Sequence, residues 1–528
     1  MSELLHQLIL RSSNTTPNST ALQWKKEAMD YQTLAQTISQ VASGLMGLGL
    51  SANERVAIYL PKQFEAVCSF FGTSMAGGVF VPVNPLLKSE QVGYILRDCN
   101  VRTLITSMDR LALLEETLEH CHDLQSVVLV NTATKALPEL KLQSVLRWEE
   151  LIANGGNSRF HRRIDSDMVS ILYTSGSTGK PKGVVLSHKN MVTGAKSVAE
   201  YLQNTAQDKL LAVLPFSFDY GFSQLSTAFH VGAEAVLMDY LLPRDVVKAV
   251  ARYGITGLAG VPPLWNQLGA LEWPQEAIDC LRYMTNSGGA MPKTTLASLR
   301  SNLPKSDFYL MYGLTEAFRS TYLPPSEIDK RPDSMGKAIP NAEVMVVRED
   351  GSPCAPGEPG ELVHRGSLVS LGYWNDPEKT AERFKPTPSQ VSGLVLTELA
   401  VWSGDTVKMD EDGYLYFVGR KDDMIKSSGY RISPSEVEEI IYASGLTGEN
   451  VALGIPHPIL GQAVVIVATV KTDDASEETL LSHCKQHLPN FMVPIKIIFR
   501  ELLPRNPNGK IDRKALAIEY ADIFNETN

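Results

Sequence analysis

Short apolar runs alternate with amphipathic stretches from about residue 20 to about residue 400, and this alternation limits the possible fold more than any other feature of the chain. Residues 55–60, 79–83 and 126–130 have the apolar character of buried strands, and residues 62–75 and 88–98 show helical periodicity between them. Alternating strands and helices indicate layers of helices packed on sheets. The sequence therefore predicts an α/β fold.

The chain has 528 residues, more than one hydrophobic core usually organises, so at least two domains are expected. Strand-like residues 344–347 and 361–365 flank a Gly/Pro-rich turn segment, which predicts a small β subdomain over about 342–420. After Arg420, helix-like and strand-like segments form a compact α+β unit. We predict a large multi-subdomain N-terminal α/β domain, residues 1–420, followed by a small α+β C-terminal domain, residues 421–528.

Composition and charge exclude several classes of protein. The formal net charge of −10 argues against a broad nucleic-acid-binding surface, and the six cysteines lack the spacing of a zinc site or a disulfide framework. No apolar run reaches the ~18 residues of a membrane helix, and the N-terminal stretch is too short and too acidic for a signal peptide. We therefore expect a cytoplasmic protein without integral membrane association. Leu4, Leu5, Leu8 and Ile9 could contact a membrane surface, but a helix packed on its own domain explains them better.

Residues 173–188, YTSGSTGKPKGVVLSH, are a loop of small residues and lysines between two strand-like runs. Glycines let the backbone approach a ligand, and hydroxyl and ammonium groups supply the hydrogen bonds and charge that polyphosphate requires. The loop is not a Walker loop, because Pro181 follows Lys180 and no helix begins there. An ordinary Gly/Ser turn is the alternative, although such turns seldom carry so many hydroxyls and lysines. The candidate phosphate-binding residues are Thr174, Ser175, Gly176, Ser177, Thr178, Gly179, Lys180 and Lys182.

Further motifs follow this loop along the chain. They are Tyr312-Gly-Leu-Thr-Glu316, Ser403-Gly-Asp405, the run from Gly419 to Lys426 with Gly429-Tyr-Arg431, and Asn508-Gly-Lys510. In this order and with these gaps, the loop and the motifs resemble the adenylate-forming enzymes. That family includes acyl-CoA and aryl-CoA ligases, the adenylation domains of peptide synthetases, and luciferases. The resemblance covers nearly the whole chain, and the ordered set is far more specific than any single motif.

The resemblance implies a reaction in two steps. A carboxylic acid attacks the α-phosphorus of ATP to give an acyl-adenylate and pyrophosphate, and the acyl group then passes to a thiol, giving a thioester and AMP. The loop would cradle the phosphates of ATP, and Thr315 would hydrogen-bond the α-phosphate. Thr178 and Glu316 would hold Mg²⁺, which prefers oxygen ligands.

The resemblance also implies which residues bind the adenosine of ATP. Asp405 would accept hydrogen bonds from both ribose hydroxyls, because a carboxylate offers two acceptors, and Arg420 would donate to the same sugar. Tyr312 would stack on or flank adenine. Gly288 and Gly313 would let the backbone lie against the nucleotide.

The small domain supplies the other expected catalytic residues. Lys510 would enter the cleft and meet the charge that develops at the α-phosphate, although without the family it would be read as a surface lysine. In the family the small domain rotates about a residue that matches Asp422, so we expect a mobile domain with its hinge there. Lys426 and Gly429 lie on the face that is presented for thioester formation, and an extended segment from Ser428 to Tyr430 would line the thiol channel.

The residues expected to line the acyl pocket leave two substrate classes open. They are Phe218, Asp219, Tyr220, Gly260 and Gly289. Many acyl-CoA and aryl-CoA ligases carry histidine where this chain has Phe218, and Asp219 resembles the carboxylate that pairs with the amino group in amino-acid-adenylating domains. Pro434 and its neighbours look more like CoA ligases.

We therefore expect a small-molecule carboxylic acid as substrate and CoA as the favoured thiol. The alternative is a stand-alone amino-acid-adenylating enzyme that loads the phosphopantetheine of an acyl-carrier protein. Asp219 could also be a structural residue bonded to backbone donors and turned away from the pocket. Loss of chemistry is disfavoured because Glu316, Asp405 and Lys510 are all present.

Overall fold

The computed structural model describes residues 3–132, 136–153, 159–174, 180–289, 291, 293–388, 393–420, 424–504 and 511–525, with only the backbone at 294, 419, 420 and 435. The strands are β1 Thr20–Trp24, β2 Glu27–Asp30, β3 Arg55–Tyr59, β4 Val79–Pro82, β5 Val101–Ser107, β6 Ser126–Val130, β7 Ser144–Arg147, β8 Met168–Thr174, β9 Lys182–Ser187, β10 Lys209–Ala212, β11 Glu234–Leu237, β12 Gly257–Gly260, β13 Tyr283–Asn286, β14 Asp307–Tyr312, β15 Thr321–Leu323, β16 Ser334–Ala338, β17 Ala342–Val347, β18 Gly360–Gly366, β19 Phe384–Pro386, β20 Leu399–Met409, β21 Leu415–Arg420, β22 Ile425–Ser427, β23 Tyr430–Ile432, β24 Thr447–His457, β25 Gly461–Val470 and β26 Lys496–Arg500.

The helices pack on these strands. They are α1 Gln7–Thr15, α2 Tyr31–Gly47, α3 Phe64–Ala76, α4 Ser89–Asp98, α5 Met108–Ala112, α6 Glu115–Leu118, α7 Trp148–Ala153, α8 His188–Tyr201, α9 Asp219–Val231, α10 Pro243–Tyr253, α11 Pro262–Gly269, α12 Gln275–Cys280, α13 Lys293–Asn302, α14 Pro377–Arg383, α15 Pro434–Ala443, α16 Glu477–His487 and α17 Arg513–Glu519. Among the described helices, none has the length and apolar character needed to cross a membrane.

The first large sheet has the order β7-β6-β5-β3-β4-β8-β9 and is parallel except for the β8–β9 pair. Helices cover both faces of a parallel sheet, so its strands are buried on both sides. This explains why residues 127–130 are a continuous apolar run, and these four and Ser126 are all buried in β6. The predicted strand–loop–strand arrangement around the phosphate loop is confirmed by the antiparallel β8–β9 pairing.

The second large sheet is parallel from β1 and β11 through β10, β12 and β13 to β14, and it becomes antiparallel beyond β14. The strands expected between residues 342 and 420 form an antiparallel sheet, but β21 pairs with β16, so they continue the second large sheet. The division at residue 420 stays a prediction, and it borders residues 421–423, which lie outside the described residues.

The C-terminal segment has its own sheet, β23-β22-β25-β24 with β26 beside β25. Two apolar clusters cover its faces, one under α15 and α16 and the other under α17. The predicted α/β architecture with a smaller α+β C-terminal part is confirmed. At the other end of the chain, Leu5, Leu8 and Ile9 are fully buried, as expected for a helix that packs on its own domain.

Candidate functional site

One cavity of about 610 Å³ lies where the carboxyl ends of strands from both large sheets meet. Its walls come from segments that follow β3, β4, β8 and β10 to β14, and from the small C-terminal unit. Open α/β sheets bind ligands at this edge, where the loops diverge and leave a crevice. The predicted site residues that line the cavity are Thr174, Phe218, Asp219, Tyr220, Gly288, Gly313 and Thr315.

The residues expected at the nucleoside come together at the end of β14. The Tyr312 hydroxyl donates a hydrogen bond to Asp405 Oδ2 at 2.5 Å, and Asp405 is only 5% exposed. Arg420 lies opposite Asp405 in the β20–β21 pair. The structure thus brings the predicted ribose-binding carboxylate beside the predicted adenine-binding ring.

Glu316 lies in a short helical turn after β14, where Tyr373 donates a hydrogen bond to its Oε1 at 2.6 Å. Burial pushes the pKa of Glu316 upward, but the charge of Arg431 and the bond from Tyr373 outweigh this and hold the pKa below its ordinary value. Glu316 is therefore ionised at neutral pH. Within the described residues no group of three or more histidine, cysteine or acidic side chains is placed to hold a metal.

Lys182, on the phosphate loop's second strand, is close to this carboxylate. Its ammonium lies 5.1 Å from the centre of the Tyr373 ring. Burial lowers the pKa of Lys182, and the negative charge of Glu316 partly opposes that shift. Thr174 pairs with Lys182 across β8–β9, and Lys180 is exposed. The remaining predicted loop residues, Ser175, Gly176, Ser177, Thr178 and Gly179, lie outside the described residues.

Asp219 begins helix α9 and faces the cavity. Its Oδ1 accepts a hydrogen bond from the Thr315 hydroxyl at 3.3 Å. Burial raises the pKa of Asp219, while the charge of Arg319 and the bond from Thr315 oppose the rise. Asp219 is thus a buried carboxylate in the wall of the cavity, and it also accepts a hydrogen bond from the Tyr220 backbone.

Arg319 is a site residue that the sequence did not reveal. It is 1% exposed, lines the same cavity as Asp219, and places its guanidinium 4.6 Å from the centre of the Tyr220 ring. Tyr220 is fixed in turn, because its hydroxyl bonds the carbonyl of Thr285 at 2.8 Å. Arginine is usually exposed, so only its position three residues after Glu316 could have drawn attention to it.

The small unit closes one side of the cavity with a turn between β22 and β23. Ser428 and Gly429 have φ values of 52° and 82°, so the expected extended segment is wrong and the backbone is left-handed there. A Cβ atom on Gly429 would lie 2.8 Å from Val261 Cγ2 of the large unit, which only glycine avoids. The next residue, Tyr430, makes an edge contact with Phe218 and stacks on Phe491, with ring centres 5.1 Å and 3.6 Å apart, respectively.

A second cavity of about 430 Å³ lies between the two units. Gly288 and Gly429 line both cavities, so the two spaces are adjacent at these glycines. The predicted residues Gly289 and Lys426 also line the second cavity, together with Arg513 and Lys514. The walls of the second cavity come from both units. No local sequence motif therefore indicates this cavity.

Gly260 is placed differently from the prediction, and two further predicted residues outside the phosphate loop are not described. A Cβ on Gly260 would lie 2.6 Å from the Trp265 ring, and Gly260 is not among the described residues that line either cavity. Its glycine is explained by close packing against that ring. Lys510 and the hinge residue Asp422 lie outside the described residues, so their roles stay predictions.

Comparison with known proteins agrees with this arrangement. The family model for the AMP-binding enzyme matches residues 9–374, and the model for the AMP-binding enzyme C-terminal domain matches residues 436–510. A long-chain-fatty-acid–CoA ligase of Salmonella typhimurium is 30% identical over 523 residues, covering 93% of this chain and 90% of the relative.

Two solved structures are similar to the whole chain or most of it. The o-succinylbenzoate CoA synthetase MenE of Bacillus subtilis has a TM-score of 0.82 at 23% identity, covering 98% of each chain, and at that identity the match concerns the fold. VinN, solved with L-aspartate, has a TM-score of 0.66 at 29% identity, covering 79% of this chain and 99% of its own.

The chain belongs to the AMP-binding enzyme family, the adenylate-forming ligases. The predicted family and the predicted class of enzyme are thereby confirmed: it is an AMP-forming acid–thiol ligase that works through an acyl-adenylate.

Proposed function

We propose that this enzyme activates a carboxylic acid in the 610 Å³ cavity and passes the acyl group to CoA, which enters through the 430 Å³ cavity. The observation that carries the proposal is that Gly288 and Gly429 line both cavities. An acyl-adenylate formed on one side of these glycines would meet a thiol that enters from the other side.

Adenylation requires positioning and cancellation of charge more than covalent help from the protein. A carboxylate oxygen of the acid forms a bond to the α-phosphorus while the bond from that phosphorus to the β-phosphate oxygen breaks, and pyrophosphate leaves. We assign to Thr315 a hydrogen bond to an α-phosphate oxygen, for which its hydroxyl turns from Asp219 Oδ1. Lys182 supplies positive charge beside the phosphate loop. Tyr312 and Asp405 hold the nucleoside so that the attacking carboxylate oxygen, the α-phosphorus and the departing β-phosphate oxygen lie in line.

The residues present fit a bound Mg²⁺ through Glu316, whose ionised carboxylate offers a hard oxygen ligand close to Lys182 and the phosphate loop. Thr178 is the second proposed ligand. Mg²⁺ would neutralise charge on the phosphate oxygens. Tyr373 orients Glu316 by its hydrogen bond and so prepares the ligand.

The thiol acceptor is inferred from the charges around the second cavity. Lys426, Arg513 and Lys514 line it, and lysine and arginine side chains suit the phosphates of CoA, although Arg513 also pairs with Glu438 at 2.7 Å. In the second step the sulfur, once its proton has left, attacks the acyl carbon, and AMP departs with the electrons of the broken bond. Acceptance of the acyl group by a free cofactor and the use of ATP suit the expected cytoplasmic location.

Pyrophosphate release from a panel of carboxylic acids, with and without CoA, tests this proposal. We expect acid-dependent release without CoA, and AMP with acyl-CoA once CoA is present. As a control, a carrier protein that bears phosphopantetheine replaces CoA. Transfer to that carrier with no transfer to CoA would overturn the choice of thiol but leave adenylation standing.

A second candidate substrate class, an amino acid, is favoured by the position of Asp219. Asp219 is a buried carboxylate that accepts hydrogen bonds from the Thr315 hydroxyl and the Tyr220 backbone but forms no ion pair among the described residues, and a substrate ammonium would supply one. The similarity to VinN, which was solved with L-aspartate, supports the same class.

Matched acids with and without an α-amino group separate the two substrate classes. If the amino group binds Asp219, Asp219→Ala should weaken amino acids by a few kcal/mol, roughly 10²-fold in kcat/KM, and leave plain acids little changed. If the ratio of wild-type to Asp219→Ala kcat/KM is the same for the amino acid and the plain acid of each pair, the amino-acid candidate is refuted.

A further inference from the structure

Arg319 carries a buried charge for which the described residues provide no ion pair. The side chain is 1% exposed, and its Nε has no hydrogen-bond partner. Among the side chains that the structure describes, none forms a salt bridge or a hydrogen bond with the Arg319 guanidinium, and its contact with Tyr220 is to the ring face. A guanidinium has five N–H donors, so this arrangement leaves strong donors unused in a desolvated place.

The backbone places Arg319 there at a cost. The preceding residue, Phe318, is fully buried and has φ 55° and ψ −46°, a conformation that non-glycine residues rarely adopt. Such residues cluster at ligand sites, where the surrounding structure holds them in place. Here the turn after Glu316 directs residue 319 into the cavity that Asp219 and Tyr220 also line.

Asp219 lines this cavity and lies close enough to Arg319 for the charge of Arg319 to oppose the rise that burial causes in its pKa. Asp219 does not accept a hydrogen bond from the Arg319 guanidinium. The two side chains form no ion pair, and Asp219 accepts a hydrogen bond from Thr315 instead. The pocket therefore presents a cationic group and an anionic group as separate features of its wall. A ligand with opposite charges at matching places would satisfy both.

We propose that Arg319 binds a second carboxylate on the acid substrate, so that the preferred substrates are dicarboxylic acids. The inference rests on the proposed function and specifies its substrate class. A carboxylate is planar and has two acceptor oxygens, so it fits the fork of the guanidinium with two parallel hydrogen bonds. Long unsubstituted acids would leave Arg319 desolvated and unpaired, and the site would therefore discriminate against them.

Pairing of the two charged groups makes the prediction more specific. A second carboxylate bound to Arg319 leaves Asp219 without a cationic group from the ligand. An amino group beside Asp219 supplies one. We therefore expect amino dicarboxylic acids to be better substrates than plain dicarboxylic acids, and both to be better than monocarboxylic acids of equal length.

Pyrophosphate release with matched acids tests the proposal. The pairs are butanoate and butanedioate, hexanoate and hexanedioate, and octanoate and octanedioate, with aspartate added as the amino derivative of butanedioate. In the wild type, the second carboxylate should raise kcat/KM by on the order of 10²-fold at one or more of these lengths. Arg319→Met keeps an unbranched side chain without the charge. It should reduce the ratio of kcat/KM for the dicarboxylic acid to kcat/KM for the monocarboxylic acid to about one.

Two further variants control for general damage. Arg300→Met removes an exposed arginine that pairs with Asp329 at 2.5 Å, and it should leave the ratio unchanged. Arg319→Lys keeps the charge but loses the fork, and it should retain part of the preference. The melting temperature of Arg319→Met should equal or exceed that of the wild type, because an unpaired buried charge is removed.

A wild-type ratio near one at every length, with aspartate no better, overturns the proposal, as does a preference that survives in Arg319→Met. If no acid supports pyrophosphate release, the proposed function fails, and ligand-induced stabilisation then decides the question of Arg319 separately. In that arm, hexanedioate and aspartate with ATP should raise the melting temperature of the wild type more than that of Arg319→Met. Equal rises would contradict the inference.

Discussion

Substitution of Gly429 by alanine should impair transfer to the thiol while sparing adenylation. A Cβ on Gly429 would lie 2.8, 3.0 and 3.0 Å from Cγ2, Cβ and Cγ1 of Val261, which belongs to the large unit. Contacts under 3 Å force the two units apart, and overpacking of this kind costs about 1–3 kcal/mol. That cost applies only in the orientation that the structure shows.

Alanine would also have to adopt the φ of 82° found at Gly429, which costs about 1–2 kcal/mol. This second cost is paid in every orientation of the small unit that keeps the turn, so it does not change the balance between orientations. The orientation-specific 1–3 kcal/mol corresponds to roughly a 5- to 150-fold slower thioester step.

The assay follows the half-reactions separately, as pyrophosphate release without CoA and as thioester formation from supplied acyl-adenylate. Gly445→Ala is a matched control, because Gly445 has φ 72° in the same unit and nothing within 4 Å of its Cβ position. Val261→Ala should partly restore the second step in Gly429→Ala. Equal loss of both steps, or the same loss in Gly445→Ala, would refute the reasoning.

Three further predictions concern the lysine, the hinge and a buried histidine. Lys510→Ala should slow adenylation by on the order of 10²- to 10³-fold but spare thioester formation from supplied acyl-adenylate; equal loss of both would remove its assigned role. Asp422→Pro should fix φ at the hinge and impair thioester formation more than adenylation, and normal rates in both steps would show that the hinge lies elsewhere. Burial lowers the pKa of His6 to about 4, so the folded state binds fewer protons than the unfolded state below about pH 6.5, and the stability is lost as pH falls. Urea unfolding should therefore show a loss that approaches about 3 kcal/mol from this group by pH 4, and His6→Gln should have a shallower slope; an unchanged slope would contradict the assignment.

Much of the fold follows from local patterns. The expected strand at residues 126–130 matches β6 residue for residue, because a short run bounded by polar residues has clear ends. The strands around the phosphate loop were equally predictable. The ordered motifs also predicted the family, since each gap along the chain adds a constraint.

Contacts between distant segments were not predictable in this way. The pairing of β16 with β21 joins the expected β subdomain to the second large sheet, and no property of either strand indicates the other as partner. Tyr373 bonds Glu316 across 57 residues. Arg319 is buried because Phe318 adopts a rare backbone conformation, whereas arginine in sequence indicates exposure.

The central claim is that this enzyme forms an acyl-adenylate before any thiol takes part. Exchange of labelled pyrophosphate into ATP in the absence of CoA tests it most directly, because the exchange requires reversible formation of the adenylate. The account predicts exchange that depends on a carboxylic acid, and AMP with a thioester only after CoA is added. Release of ADP and phosphate, or exchange that needs no acid, would contradict it.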